Sequence, residues 1–267
     1  MKLKRPDIKF TRGKQLALLA AILIILGVVW ASVSSSANKR IIQSVAISYF
    51  DKQEPIMQET ALLKRLYKQY GTMVGRPANE INISGLEASL HGVGAIKKVQ
   101  VYVELDGILR IKVLYRKPVI RVKNKKGQEF YMDSTGYKFL LNDIKPQYVI
   151  LANGYISEPA LQGKAQTIAA KDLYVLGTFL TKHPPWQADC EQCYVDKKSE
   201  LTLIPRVGKH TIELGDTKFI EEKFQNLHAF YTNGLNKMGW NNYTKVIIKY
   251  RNQVLAKPAV LNNRQIK

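Results

Sequence analysis

Two cysteines three residues apart, Cys190 and Cys193 in CEQC, come closest in type and spacing to residues that could do chemistry. A C-x-x-C pair at a helix start carries out thiol-disulfide exchange, because the helix terminus lowers the first thiol's pKa. This pair instead follows the di-proline Pro184-Pro185 and precedes a stretch of strand character. That placement favours a local disulfide tightening a loop, or a free pair. Zinc is a second reading, but it needs two more ligands and His183 is the only nearby candidate. Redox catalysis is a third. The other histidines, His91, His210 and His228, fall on separate segments. No H-E-x-x-H, H-x-x-E-H or G-x-S-x-G arrangement and no phosphate-cradling glycine loop is present. No catalytic residue, metal set or cofactor is therefore expected, and binding is the function class that remains.

Binding can be carried by backbone alone. A strand at a sheet edge carries unpaired N–H and C=O groups that another chain can complete. Lys245 to Lys257, KVIIKYRNQVLAK, reads as one closing strand with the apolar and β-branched content for such an edge. Ile248, Lys249, Tyr250, Arg251 and Val254 are its candidate partner-binding residues. Lys249, Arg251 and Lys257 would discourage indiscriminate aggregation and favour an acidic partner. The competing reading is a strand paired on both sides within its own sheet.

The elements that position these segments begin with Ile96 to Val122. Val99, Val101, Val103 and Leu105 alternate with polar or aromatic neighbours, Asp106-Gly107 interrupts, and Leu109, Ile111 and Val113 resume the alternation. That pattern predicts a β-hairpin with a glycine-supplied turn. Upstream, Ile41 to Phe50 reads as a strand and Gln58 to Tyr70 as an amphipathic helix. A shorter helix follows, with Leu86 and Leu90 buried, started by Asn82 or by a Ser84/Glu87 capping box. The order is strand, helix, helix, strand, strand, two helices on a small sheet. Arg116 to Val119 reads as a boundary, because Pro118 removes a ladder donor.

Beyond it, Ile120 to Val122 and Phe130 to Met132 flank a basic turn at Lys125 to Gln128, and Asp133 with Gly136 makes the next turn. Tyr148 to Leu151 reads as a buried strand. Gln166 to Lys182 reads as a helix with Ile168, Leu173, Leu176 and Leu180 inside, stopped by Pro184-Pro185. Tyr194 to Asp196, Leu201 to Pro205 and His210 to Leu214 read as strands. Lys218 to Met238 reads as one long helix whose inner face is Phe219, Phe224, Leu227, Phe230, Tyr231 and Leu235.

Location narrows the partners. Leu16 to Val33 carries no charge over 18 residues. As a helix it would extend about 27 Å, against a hydrocarbon core of about 30 Å. The preceding MKLKRPDIKFTRGKQ holds six Lys or Arg and one Asp, so the N-terminus is expected inside and the rest outside the cytoplasm. A cleaved signal peptide is the competing reading, since Ser35-Ser36-Ala37 supplies small residues. The net charge of +20 then faces lipid headgroups, wall polymers or acidic proteins, and not nucleic acid.

GRPANEIN between the helices, the V-x-V-x-V strand, LRIKVLYRKPVIRV and the following FYMDSTG resemble the FtsQ/DivIB family of bacterial division proteins, most closely over Leu109 to Gly136. The resemblance implies an α+β fold in which a single N-terminal transmembrane helix anchors a POTRA domain (β-α-α-β-β) followed by a mixed β domain with flanking helices. On this sequence that means a cytoplasmic tail at 1–15, the span at 16–35, POTRA at 36–117, the β domain at 118–258 and a tail at 259–267. It also implies a non-enzymatic inner-membrane scaffold at the division septum whose last strand binds small bitopic proteins like FtsB and FtsL. Tyr250 after Lys249 resembles the family's Arg-Tyr pair in that strand. The alternatives are a POTRA-bearing transport or assembly factor and a membrane-anchored thiol oxidoreductase using Cys190 and Cys193.

Overall fold

The computed structural model describes residues 17–28, 40–52, 54–142, 144–235, 237 and 239–259. They form a mixed α+β protein that divides into two compact units. Helix α1 (17–28) falls inside the expected span, and all of its residues are exposed. The rest of that span, Leu16 and 29–35, and the residues 1–15 and 260–267 of the two tails lie outside the described residues. Among the described residues no helix is long and apolar enough to cross a membrane.

The smaller unit is built on β1 (Ser44–Tyr49), α2 (Glu59–Tyr70), α3 (Ile83–His91), β2 (Ile96–Val103) and β3 (Ile108–Tyr115), the order read from the sequence. The sheet runs β1-β3-β2, with β1 parallel to β3. Gly107 closes the hairpin at φ 83°, and a Cβ there would meet the Ile41 carbonyl at 2.7 Å. Glycine is thus required both for its conformation and for its lack of a side chain. Leu109, Ile111 and Val113 are buried as the alternation demands, but Leu105 is 84% exposed. It sits in the turn, where period two no longer applies. The cap of α3 is Asn82, whose Oδ1 accepts the Gly85 N–H at 2.8 Å. Glu87 completes no capping box; its carboxylate accepts the Val101 N–H at 2.7 Å instead.

The larger unit holds a sheet in the order β13-β12-β11-β10-β9-β7-β4-β5-β6-β8. Its strands are β4 (Pro118–Lys123), β5 (Glu129–Asp133), β6 (Tyr137–Leu140), β7 (Ile150–Gly154), β8 (Gly163–Lys164), β9 (Cys190–Val195), β10 (Leu201–Pro205), β11 (Thr211–Gly215), β12 (Tyr243–Ile247) and β13 (Leu255–Pro258). Most neighbours are antiparallel, but β7 runs parallel to both β4 and β9, and β11 runs parallel to β12. Parallel neighbours need a crossover. Helix α4 (Ile168–Lys182) lies in the connection from β7 to β9, and α6 (Ile220–Phe230) in that from β11 to β12. Both crossovers bury their apolar sides: Leu173, Leu176, Leu180, Phe224 and Leu227 share one core with Ile120, Phe130, Leu203 and Val246.

Several element boundaries differ from the sequence reading. Ile168 is 73% exposed because it is the first residue of α4; Thr167 caps that helix by accepting the Ala170 N–H, and the inner face starts at Ala169. Phe219 is likewise exposed, held at φ 55° in front of α6. The expected helix from Lys218 to Met238 is α6 continued by a π-helical segment, Tyr231–Leu235, which keeps Tyr231 and Leu235 buried; Met238 lies outside the described residues. Pro184-Pro185 starts the short helix α5 (Pro184–Asp189), since a first turn has no need of the missing N–H groups. The turn after β5 forms as expected: Asp133 Oδ1 accepts the Thr135 and Tyr137 N–H groups, and Oδ2 pairs with Arg116 at 2.8 Å.

Candidate functional site

Lys245 to Lys257 folds as two strands and not as one. Strands β12 and β13 pair antiparallel, joined by 248–254, where Asn252 takes φ 60° in a run of polar residues that breaks the apolar alternation. Asparagine tolerates that conformation better than most side chains. Strand β12 has β11 on its other side, so both of its edges are occupied. Among the described strands β13 has a neighbour on one side only, and it ends the sheet.

The five partner-binding candidates divide accordingly. Ile248 is buried and donates its N–H to the Glu213 carbonyl at 2.9 Å. Val254 is partly buried against the core. Lys249, Tyr250 and Arg251 form the outer part of the turn, with Tyr250 46% exposed. Their footing is Gly215, at φ 71°, where a Cβ would meet Lys249 Cβ at 2.8 Å.

Two of the three basic residues expected to favour an acidic partner, Lys249 and Arg251, already have acidic neighbours within the chain, as does Lys245. Lys249 Nζ bonds Glu200 at 3.2 Å and lies over the Tyr250 ring at 5.4 Å; Glu200 holds that ammonium above its ordinary range. Arg251 reaches Glu222 at 3.4 Å and covers the Phe219 ring at 4.4 Å, and Lys245 pairs with Glu213. What remains for a partner is the edge itself and the exposed apolar groups around it, Tyr250, Leu255, Ile168 and Phe219. Shallow hollows adjoin Tyr250, one of about 180 Å³ beside Phe219 and Glu222, another of about 310 Å³ beside Ile168 and Gly215. Ile168 and Phe219 were missed by the sequence reading because each stands at a helix start, where one residue decides between inside and outside.

Cys190 and Cys193 both lie within β9, not in a loop ahead of it, and both are free and buried. The register against β10 shifts between Ile204 and Pro205, which leaves Glu191 unmatched. A bulge of that kind brings two residues three apart to one side of a strand. Burial pushes the Cys190 thiol up to about 12, with the Asp189 carboxylate adding to it, and pushes Cys193 higher still. A thiol held protonated is a poor nucleophile and a poor metal ligand. His183, the candidate third ligand, has Nδ1 engaged with the Phe179 carbonyl at 2.8 Å. Among the described residues no group of His, Cys, Asp and Glu is placed to hold a metal.

Residues 117–257, more than half of the chain and covering all of the long sheet but the last residue of β13, match a family model described as FtsQ/DivIB, C-terminal related. No curated protein matches the chain.

Proposed function

The chain belongs to the FtsQ/DivIB, C-terminal related family, and from that premise we propose that it is a non-enzymatic, membrane-anchored scaffold of the division machinery. Membership suggests a role in bacterial cell division. In this reading the uncharged run Leu16 to Val33 is the anchor, 36–117 is a POTRA domain, and 118–258 is the partner-binding β domain on the outer side of the membrane. The partner is a small bitopic protein of the FtsB/FtsL kind, which adds an extended segment to β13 and so contributes to placing septal wall synthesis. The observation that carries the reading is the position of β13 at the end of the sheet, beside an exposed Tyr250 and Leu255.

Strand addition gains affinity from main-chain hydrogen bonds and specificity from pockets for alternate side chains. The hollows beside Tyr250 are suited to the second task, and Lys249, Tyr250 and Arg251 would frame them. Because Lys249 and Arg251 are already paired, an acidic partner group would have to share or displace Glu200 or Glu222. Ile248 and Val254 would act from within, by holding the turn.

A pull-down with an FtsB-like partner tests this. Ending the chain before Leu255 removes β13 and leaves β12, so recruitment should be lost; Tyr250→Glu should weaken it. Undiminished capture by the shortened chain removes the strand-addition mechanism. A fluorescent fusion in dividing cells tests the role itself, with enrichment at midcell expected and uniform envelope labelling counting against it.

A further inference from the structure

The larger unit has a second concavity of about 490 Å³, lined among others by Trp186, Asp189, Val207, His228, Tyr231 and Trp240. None of these residues belongs to the C-terminal turn. Small-ligand sites span about 300 to 1,000 Å³. Three aromatic rings stand at steep angles in its wall: Trp186 and Tyr231 have centroids 5.8 Å apart at 56°, and Tyr231 and Trp240 5.0 Å apart at 68°. The His228 ring stands edge-on to Trp186 at 6.4 Å and 87°.

Local structure explains this convergence. Trp186 and Asp189 are three apart on α5, hence neighbours on one helix side. Tyr231 opens the π-helical segment, and its hydroxyl lies 2.9 Å from His210 Nε2, which fixes the ring. Trp240 follows the turn at Gly239, which takes φ 95°. Asp189 supplies an unmet demand. Its Oδ2 is buried with no hydrogen-bond partner among the described residues, while the carboxylate also accepts the Val207 N–H and lies within the field of Arg206. A buried acceptor left without a donor is costly, and more so when charged.

We infer that this concavity binds a primary alkylammonium group, its N–H bonds meeting Asp189 Oδ2 and its carbon stem lying against Trp186, Tyr231 and Trp240. Aromatic faces attract an organic cation through the ring quadrupole, most strongly for Trp. A neutral alcohol of the same shape lacks the charge. A quaternary ammonium keeps the charge but has no N–H for the carboxylate.

The chain has three tryptophans, and two of them line the concavity. Full-length chain carrying Trp30→Phe, in lipid nanodiscs, therefore reports occupancy through Trp186 and Trp240 fluorescence alone. At matched ionic strength, n-butylammonium should give a saturable change at a concentration about tenfold or more below that needed for 1-butanol, with butyltrimethylammonium between them. Asp189→Asn should abolish the preference for the cation while alcohol binding persists, which also reports that the fold is intact. Equal response to n-butylammonium and 1-butanol, or a preference that survives Asp189→Asn, overturns the inference. Should that variant fail to fold, the three-ligand comparison on the Trp30→Phe chain still decides. Nα-acetyl-lysine methylamide identifies the source: tighter binding than n-butylammonium marks a lysine on a polypeptide, equal binding marks a free amine, and either upholds the site.

Discussion

At one end of the long sheet β8 offers only Gly163–Lys164, and its surroundings consume their own polar groups. Lys164 Nζ bonds the Thr135 carbonyl at 2.8 Å, the Ala165 N–H bonds Gly136 at 2.8 Å, and the next two amides, of Gln166 and Thr167, end on the Glu158 carboxylate. At the other end β13 runs Leu255–Pro258, mostly exposed, with apolar side chains beside it. Sheet edges invite unwanted pairing and are usually shortened, charged or covered. One edge of this sheet is shortened to two residues and carries a lysine. Among the described residues the other has Lys257 and Pro258 as its guards, which restrict that edge without pairing it. Two ends of one sheet treated so differently are what the proposed pairing at β13 requires.

Breaking the closed end should give the largest effect. Lys138 and Glu158 form an ion pair whose side chains are 4% and 0% exposed. Glu158→Ala strands a buried ammonium and two amides, and removing one partner of a buried pair costs about 3–5 kcal/mol. Urea titration followed by tryptophan fluorescence should show this loss, while partner capture at β13 persists wherever the chain remains folded. A pH series sharpens the same point. Burial pushes the Glu158 carboxyl up, but hydrogen bonds from Lys138, Thr167 and Gln166 outweigh it and hold it below the ordinary range. A depressed carboxylate contributes stability that is complete above its unfolded pKa and is lost as pH falls through the folded one. Stability should therefore decline from about pH 4 downward, and less steeply in Glu158→Gln. An acid limb unchanged by that substitution would show that Glu158 does not close this end.

The hairpin of the smaller unit was legible because its signals are local: period two on either side, and Asp-Gly between. Leu86, Leu90 and the crossover helix cores were legible for the same reason. The division between β12 and β13 was not, because its turn has no glycine or proline and relies on Asn252 at φ 60°. The partner that holds β12 inside the sheet is β11, some thirty residues upstream across a crossover, and no local pattern announces a parallel neighbour. The carboxylates that pair with Lys249 and Arg251 were not legible because Glu200 and Glu222 lie far off in sequence. The concavity around Asp189 was invisible for that reason too, since it assembles from four separate segments.

A middle-sized effect is expected at the base of the open end. Gly215→Ala places a Cβ at positive φ, which costs about 1–2 kcal/mol, and presses it against Lys249 Cβ. The strain falls on the turn that carries Tyr250, so both melting temperature and partner capture should drop. Loss of stability with capture unchanged would separate the turn from recognition and leave β13 alone as the binding element.

The smallest effect on stability is also the most discriminating. Tyr250 is 46% exposed, and its ring meets Lys249 at the surface, so Tyr250→Ala should change unfolding free energy by no more than about 0.5 kcal/mol. An aromatic anchor at the centre of an interface is commonly worth about 2 kcal/mol or more, roughly thirtyfold in affinity. The closed end has no such asymmetry: its substitutions should lower stability and leave affinity alone. If Tyr250→Ala instead unfolds the protein and leaves the capture per folded molecule intact, the exposed turn is a structural brace, and the contrast between the two edges reflects packing and not recognition.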